Sequence, residues 1–170
     1  VLASPAGNTA SPRAMSADWR PIDDSTAHRT APGWTFGLPE LARGQRENIR
    51  ASKRIANPGC HASAFILAVR PLVDAGLLGA AATVTATSIT GYSGGGKSMI
   101  AQYEAGGDAK LRSPRPYGLG LVHKHLPEMV THTGLTTVPV FMPIVADFYK
   151  GLAVTVPLHV ATLRPGTTPE

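Results

Sequence analysis

The stretch that most constrains this chain is Asn57-Pro58-Gly59-Cys60, a turn that carries its only cysteine. Pro58 fixes its own φ and Gly59 permits backbone angles that side chains resist, so the chain must turn here. Beyond the turn, Ala62, Phe65, Ile66, Val69, Leu72 and Val73 recur at the spacing of one helix face. The pattern predicts a helix that starts at Cys60, is kinked or broken by Pro71 and ends at Gly76. The first turn of a helix has unpaired N–H groups and the positive end of the helix dipole, and both favour an anion. A thiol held there is biased toward thiolate, the form that attacks carbon. A lone cysteine is more often a small buried apolar residue. The turn before this one and the helix after it favour a nucleophile.

The rest of the composition narrows the setting. A length of 170 residues suits one domain, or one domain with a short arm. The net charge of +5 is spread along the chain rather than striped, which argues against nucleic acid and suits an anionic substrate. A single cysteine excludes an internal disulfide, and no Cys/His spacing suggests a metal site. No apolar run approaches the roughly 20 residues of a membrane span, and no signal peptide is legible. A cytoplasmic fragment is the expectation. Residues 1–21, rich in Ala, Ser, Pro and Gly, read as a loose arm, with one domain over residues 22–170.

Several stretches carry chemistry. Asp23-x-Ser25 leads to Arg29, whose fork of donors would suit paired phosphate oxygens. Residues 43–53 favour a helix. Thr83 to Ile89 is β-branched and reads as a strand running into Thr90-Gly91-Tyr92-Ser93-Gly94-Gly95-Gly96-Lys97-Ser98. Consecutive glycines let backbone N–H groups approach an anion, with Ser93 and Lys97 adding a hydroxyl and a charge. Gly91 and Gly96-Lys97-Ser98 also satisfy the spacing of a nucleoside-triphosphate loop, though no second strand ending in a metal-binding Asp accompanies them. Further on, His123-Lys124-His125-Leu126-Pro127-Glu128 offers histidines that can carry a proton near neutral pH without a large pKa shift. Without a third ligand, the pair does not read as a metal site. Val138 to Pro143 reads as a short strand. The alternation from Leu152 to Val160 reads as another, with Pro157 marking an edge or bulge.

These motifs, in this order, resemble N-acetyl-γ-glutamyl-phosphate reductase of the arginine pathway, in its shorter-chain branch. Asn57-Pro58-Gly59-Cys60 is similar to the nucleophile segment, which in that family usually continues Tyr-Pro-Thr where this chain has His61-Ala62-Ser63. Thr90 to Lys97 resembles a Ser-Gly-Tyr-Ser-Gly-Gly-Gly-Lys loop, and His123 to Glu128 resembles His-Arg-His-x-Pro-Glu. Lys150-Gly151 resembles a step into the last strand. The glycine fingerprint of the dinucleotide-binding units is absent.

The resemblance implies an α+β catalytic domain of the glyceraldehyde-3-phosphate dehydrogenase type, largely without its NADP-binding domain. Its sheet would be mixed, mostly antiparallel, with helices on one face. It implies Cys60 as nucleophile, His125 as acid/base with Glu128 beside it, and phosphate held by Arg29, Ser93, Gly94, Gly95 and Lys97. It also implies NADP(H) as cofactor, with Gly91 and Ser93 near it. Partners would be a small acyl phosphate and further copies of the full-length enzyme, with no nucleic acid, membrane or metal. An aspartyl-phosphate dehydrogenase and a non-catalytic remnant are the alternatives.

Overall fold

A computed structural model describes residues 20–168, so the arm expected over residues 1–21 lies almost wholly outside them. Two sheets form. The smaller joins β1 (Ile22–Asp23), β3 (Ile55–Ala56) and β2 (Thr35–Phe36), in that order and all parallel. Sequence pattern gives no sign of this sheet: each strand has only two residues, too few for a period to show. The larger sheet has the order β5 (Arg115–Pro116), β6 (Val140–Ala146), β4 (Thr85–Gly91), β7 (Leu152–Thr155). Two of its three pairings are antiparallel, as expected, but the longest, β4 with β6, is parallel.

Between the strands lie α1 (Gln45–Ala51), α2 (Cys60–Asp74), α3 (Gly96–Glu104) and α4 (Leu126–Thr133). Helix α2 starts at Cys60 as its spacing predicts. It also runs through Pro71 without breaking. Pro71 falls in the last turn and is exposed, as is Leu67, whose carbonyl loses its partner and can turn to water. The helix ends where expected, with Gly76 at φ 65° and the Leu77 and Leu78 N–H groups closing onto the Leu72 carbonyl.

Strand periodicity sets the two faces of the larger sheet. Ala86, Ser88 and Thr90 of β4, with Phe141, Pro143 and Val145 of β6, turn inward. Phe65, Ile66 and Val69 of α2 and Met129 of α4 meet them in the core. Each such side chain contributes roughly 1.5–3 kcal/mol by leaving water. The opposite face leaves Ile89, Val140 and Met142 about two-fifths exposed. Strand β6 begins two residues later than expected and passes through Pro143 to Ala146. Strand β7 is shorter than its alternation suggests. Its ladder stops at Thr155, before Pro157, while Val156 and Leu158 still pack on the core.

Candidate active site

Five stretches far apart in sequence meet at one cleft of about 300 Å³, whose lining includes Arg29, Cys60, Gly94, Tyr117, His125 and Val145. Cys60 is the first residue of α2 and is exposed. Gly59 before it is buried, and its backbone is extended (φ −73°, ψ 141°), so no left-handed geometry demands a glycine. Contact does. A Cβ on Gly59 would sit 2.5 Å from His125 Nε2 and 2.5 Å from Glu128 Oε1. The glycine thus lets the start of α2 lie directly against the start of α4.

His125 caps α4 and is 4% exposed. Its backbone N–H donates to His123 Nδ1 at 3.2 Å, and its own Nδ1 has no partner among the described residues. The sequence suggests a histidine of ordinary pKa. The fold corrects that: burial, then His123, Arg29, His61 and Lys124, push His125 down to about 3. His125 is therefore a neutral imidazole at physiological pH, able to accept a proton before it gives one.

Glu128 lies 4.0 Å from His125 Nε2, too far for a hydrogen bond. Its carboxylate accepts instead from Arg29 Nη1 at 2.8 Å and the Gly59 N–H at 3.0 Å. Burial raises its pKa, with the Gly59 N–H and the Arg29 guanidinium opposing. Arg29 is buried and also donates to the carbonyls of Asn57 and Asp24, at 2.9 Å each. The arginine read from sequence as a phosphate ligand thus fastens the Cys60 turn to α4, and only the rest of its donor fork is left for the cleft.

The glycine-rich loop follows the end of β4. Gly91, Gly94 and Gly95 line the cleft, whereas Ser93 and Lys97 do not, and Lys97 is exposed. The close approach at Gly91 is to the chain itself: a Cβ there would meet the Phe148 carbonyl at 2.6 Å. The N–H groups of Gly91 and Ser93 donate to the carbonyls of Gly151 and Tyr149, so neither is available to a phosphate. Sequence reasoning singled out neither His61 nor Tyr117 here. His61 is 3% exposed and joins Ser88 Oγ (2.7 Å) to the Tyr117 hydroxyl (2.9 Å). The i, i+4, i+8 row of His61, Phe65 and Val69 was the signal that it points inward.

A dinucleotide does not fit these residues alone. The strand–loop–helix that could cradle its pyrophosphate has spent the N–H groups of Gly91 and Ser93, and the cleft is at the lower end for a ligand site. Among the described residues no helix is long and apolar enough to cross a membrane, and no group of three or more His, Cys, Asp or Glu could hold a metal.

The architecture is that of the semialdehyde dehydrogenases. Aspartate semialdehyde dehydrogenase II from Vibrio cholerae superposes with a TM-score of 0.60 at 20% identity, over 79% of this chain and 47% of that one. The chain belongs to that family, since residues 60–169 match the family described as "Semialdehyde dehydrogenase, dimerisation domain". It is similar to N-acetyl-gamma-glutamyl-phosphate reductase of Burkholderia lata, at 41% identity over 89% of this chain and 48% of the relative. It is also similar to N-acetyl-gamma-glutamyl-phosphate reductase 2 of Pseudomonas putida, at 46% identity over 86% and 47%. The chain spans about half the length of these relatives.

Proposed function

We propose that this chain is the acyl-transfer half of an N-acetyl-γ-glutamyl-phosphate reductase, which makes the semialdehyde in arginine biosynthesis. The observation that carries the reading is the contact at Gly59, which brings His125 Nε2 and Glu128 against the residue preceding Cys60. Neutral His125 takes the thiol proton as the sulfur of Cys60 attacks the acyl carbon. The carbon–oxygen bond to phosphate breaks and a thioester remains. The free donors of Arg29 receive the departing phosphate, in the cleft that Gly94 and Gly95 also line. The imidazolium holds the proton that aldehyde formation consumes, with Glu128 about 4 Å away to offset its charge. NADP(H) is the hydride source in this reading, delivered from outside the described residues. The outer face of the larger sheet, with Ile89, Val140 and Met142, is the surface on which a second copy packs, in keeping with the family's dimerisation domain.

The thioester can be tested without the cofactor. The 170-residue chain mixed with N-acetylglutamyl phosphate is expected to gain a hydroxylamine-labile acyl group on Cys60, visible by mass spectrometry and absent in Cys60→Ser. Aspartyl phosphate is expected to compete poorly, and added NADPH is expected to remain unoxidised. No adduct on Cys60 would overturn the reading.

A further inference from the structure

Ser88, His61 and Tyr117 form a hydrogen-bonded row that the acyl transfer to Cys60 does not use. Its direction follows from the hydrogens each group can give. Ser88 is completely buried on β4, and its hydroxyl has one partner among the described residues, His61 Nδ1 at 2.7 Å. If Nδ1 carried the imidazole proton, the serine hydrogen would be buried without an acceptor, a costly arrangement. Ser88 therefore donates and Nδ1 accepts, which puts the imidazole proton on Nε2. Nε2 then donates to the Tyr117 oxygen at 2.9 Å. The hydroxyl hydrogen of Tyr117 is left to find its own acceptor, and Tyr117 lines the same cleft as Cys60.

We propose that His61 is a positioning residue that aims the Tyr117 hydroxyl proton into the cleft that Cys60 also lines, where it meets the thiolate as that forms. The proposal rests on Cys60 being the nucleophile. It requires a neutral His61 and a protonated phenol. Burial, His123 and Lys124 hold His61 down to about 4, and burial together with charge on Cys60 pushes Tyr117 up to about 12. The other groups that face His61 are the rings of His123 and His125, each 5.5 Å away, and Phe141 at 5.4 Å. Neither histidine hydrogen-bonds it. His61 is thus committed to the serine–tyrosine row rather than to proton transfer with His125.

Two measurements on the whole chain test this. In ¹⁵N-histidine NMR at neutral pH, His61 is expected as the tautomer protonated at Nε2 with a bare Nδ1. In iodoacetamide alkylation of Cys60 at pH 7, Tyr117→Phe and His61→Leu are each expected to slow the rate about tenfold, the scale of one charge-assisted hydrogen bond. His61→Gln, which can accept from Ser88 and donate to Tyr117, is expected to stay within about threefold of the parent rate. A merely structural His61 would make His61→Gln as slow as His61→Leu, and that result would overturn the positioning role. An Nδ1-protonated tautomer, or a fast parent rate that Tyr117→Phe leaves unchanged, would overturn this proposal alone. A parent rate no higher than that of free cysteine would overturn the nucleophile reading and this proposal with it. Should His61→Leu fail to fold, the tautomer and Tyr117→Phe still decide the matter.

Discussion

Gly59→Ala adds one methyl group at the most crowded point of the cleft. The new Cβ would lie 2.5 Å from His125 Nε2, 2.6 Å from its Cδ2 and 2.5 Å from Glu128 Oε1. Ordinary carbon contacts begin near 3.5 Å, so about 1 Å of movement is required. None of these atoms is the tip of a free side chain. Glu128 is held by Arg29 and by the Gly59 N–H itself, and His125 is 4% exposed at the cap of α4. Overpacking of this kind costs about 1–3 kcal/mol. Alanine suits the extended backbone at Gly59 and returns about 0.4–1 kcal/mol by restricting the unfolded chain. The net loss of stability is therefore about 0–2.5 kcal/mol, small enough to leave a folded protein. The loss of function should be larger. A misplacement of about 1 Å between nucleophile and base can cost roughly 10²-fold in rate. The assay is acylation of Cys60 by N-acetylglutamyl phosphate, with urea unfolding alongside it. A variant that acylates within about threefold of the parent rate would refute the claim that this contact sets the geometry.

His125→Asn is expected to slow acylation of Cys60 by roughly 10²–10⁴-fold, and His123→Asn by less; the reverse order in the same assay would assign the base to the wrong histidine. Stability should fall with acid, because a histidine held near pKa 4 in the fold titrates near 6.5 when unfolded. The stability is fully present above pH 6.5 and is lost as pH falls toward 4, by about 3 kcal/mol from His61 alone. His125, held lower still, adds to the loss, whereas Glu128, raised by burial, works against it. Urea midpoints from pH 7 to 4 should drop more steeply for the parent than for His61→Gln, and parallel slopes would count against the argument. Ile89→Lys on the outer sheet face should shift the chain toward monomer in sedimentation velocity without changing its helix content.

Local features were readable from sequence, and contacts made across the fold were not. The start of α2 at Cys60 was legible because Pro58 and Gly59 act on their own neighbours and the apolar stripe follows at once. Strand β4 was legible from its β-branched residues. Arg29 was legible as a candidate for the cleft it lines, but not its attachment to Glu128, a residue 99 positions away. A similar separation hid the reason for Gly59. Its neighbours suggest a turn, whereas the pressure on it comes from His125 and Glu128, brought in by α4. Gly91 shows the converse. It lines the cleft that its glycine-rich surroundings suggest, while the group that crowds its Cα is the chain's own backbone near Phe148.

For His125, assembly from distant segments has a chemical consequence. Its sequence context supplies an imidazole of ordinary acidity, yet the fold buries it beside His123, Arg29, His61 and Lys124. Each of these favours the neutral ring until an anion enters. In the proposed reaction an acyl phosphate brings that anion, and proton transfer from the thiol creates a second one beside the ring. Substrate entry and thiolate formation should therefore raise the basicity of His125 at the step that needs a base. Before that step the ring stays uncharged, so the buried cluster does not hold an unpaired cation. The low pKa of the free site is compatible with the role proposed for it, because the charge that would raise it is carried by the proposed reaction itself.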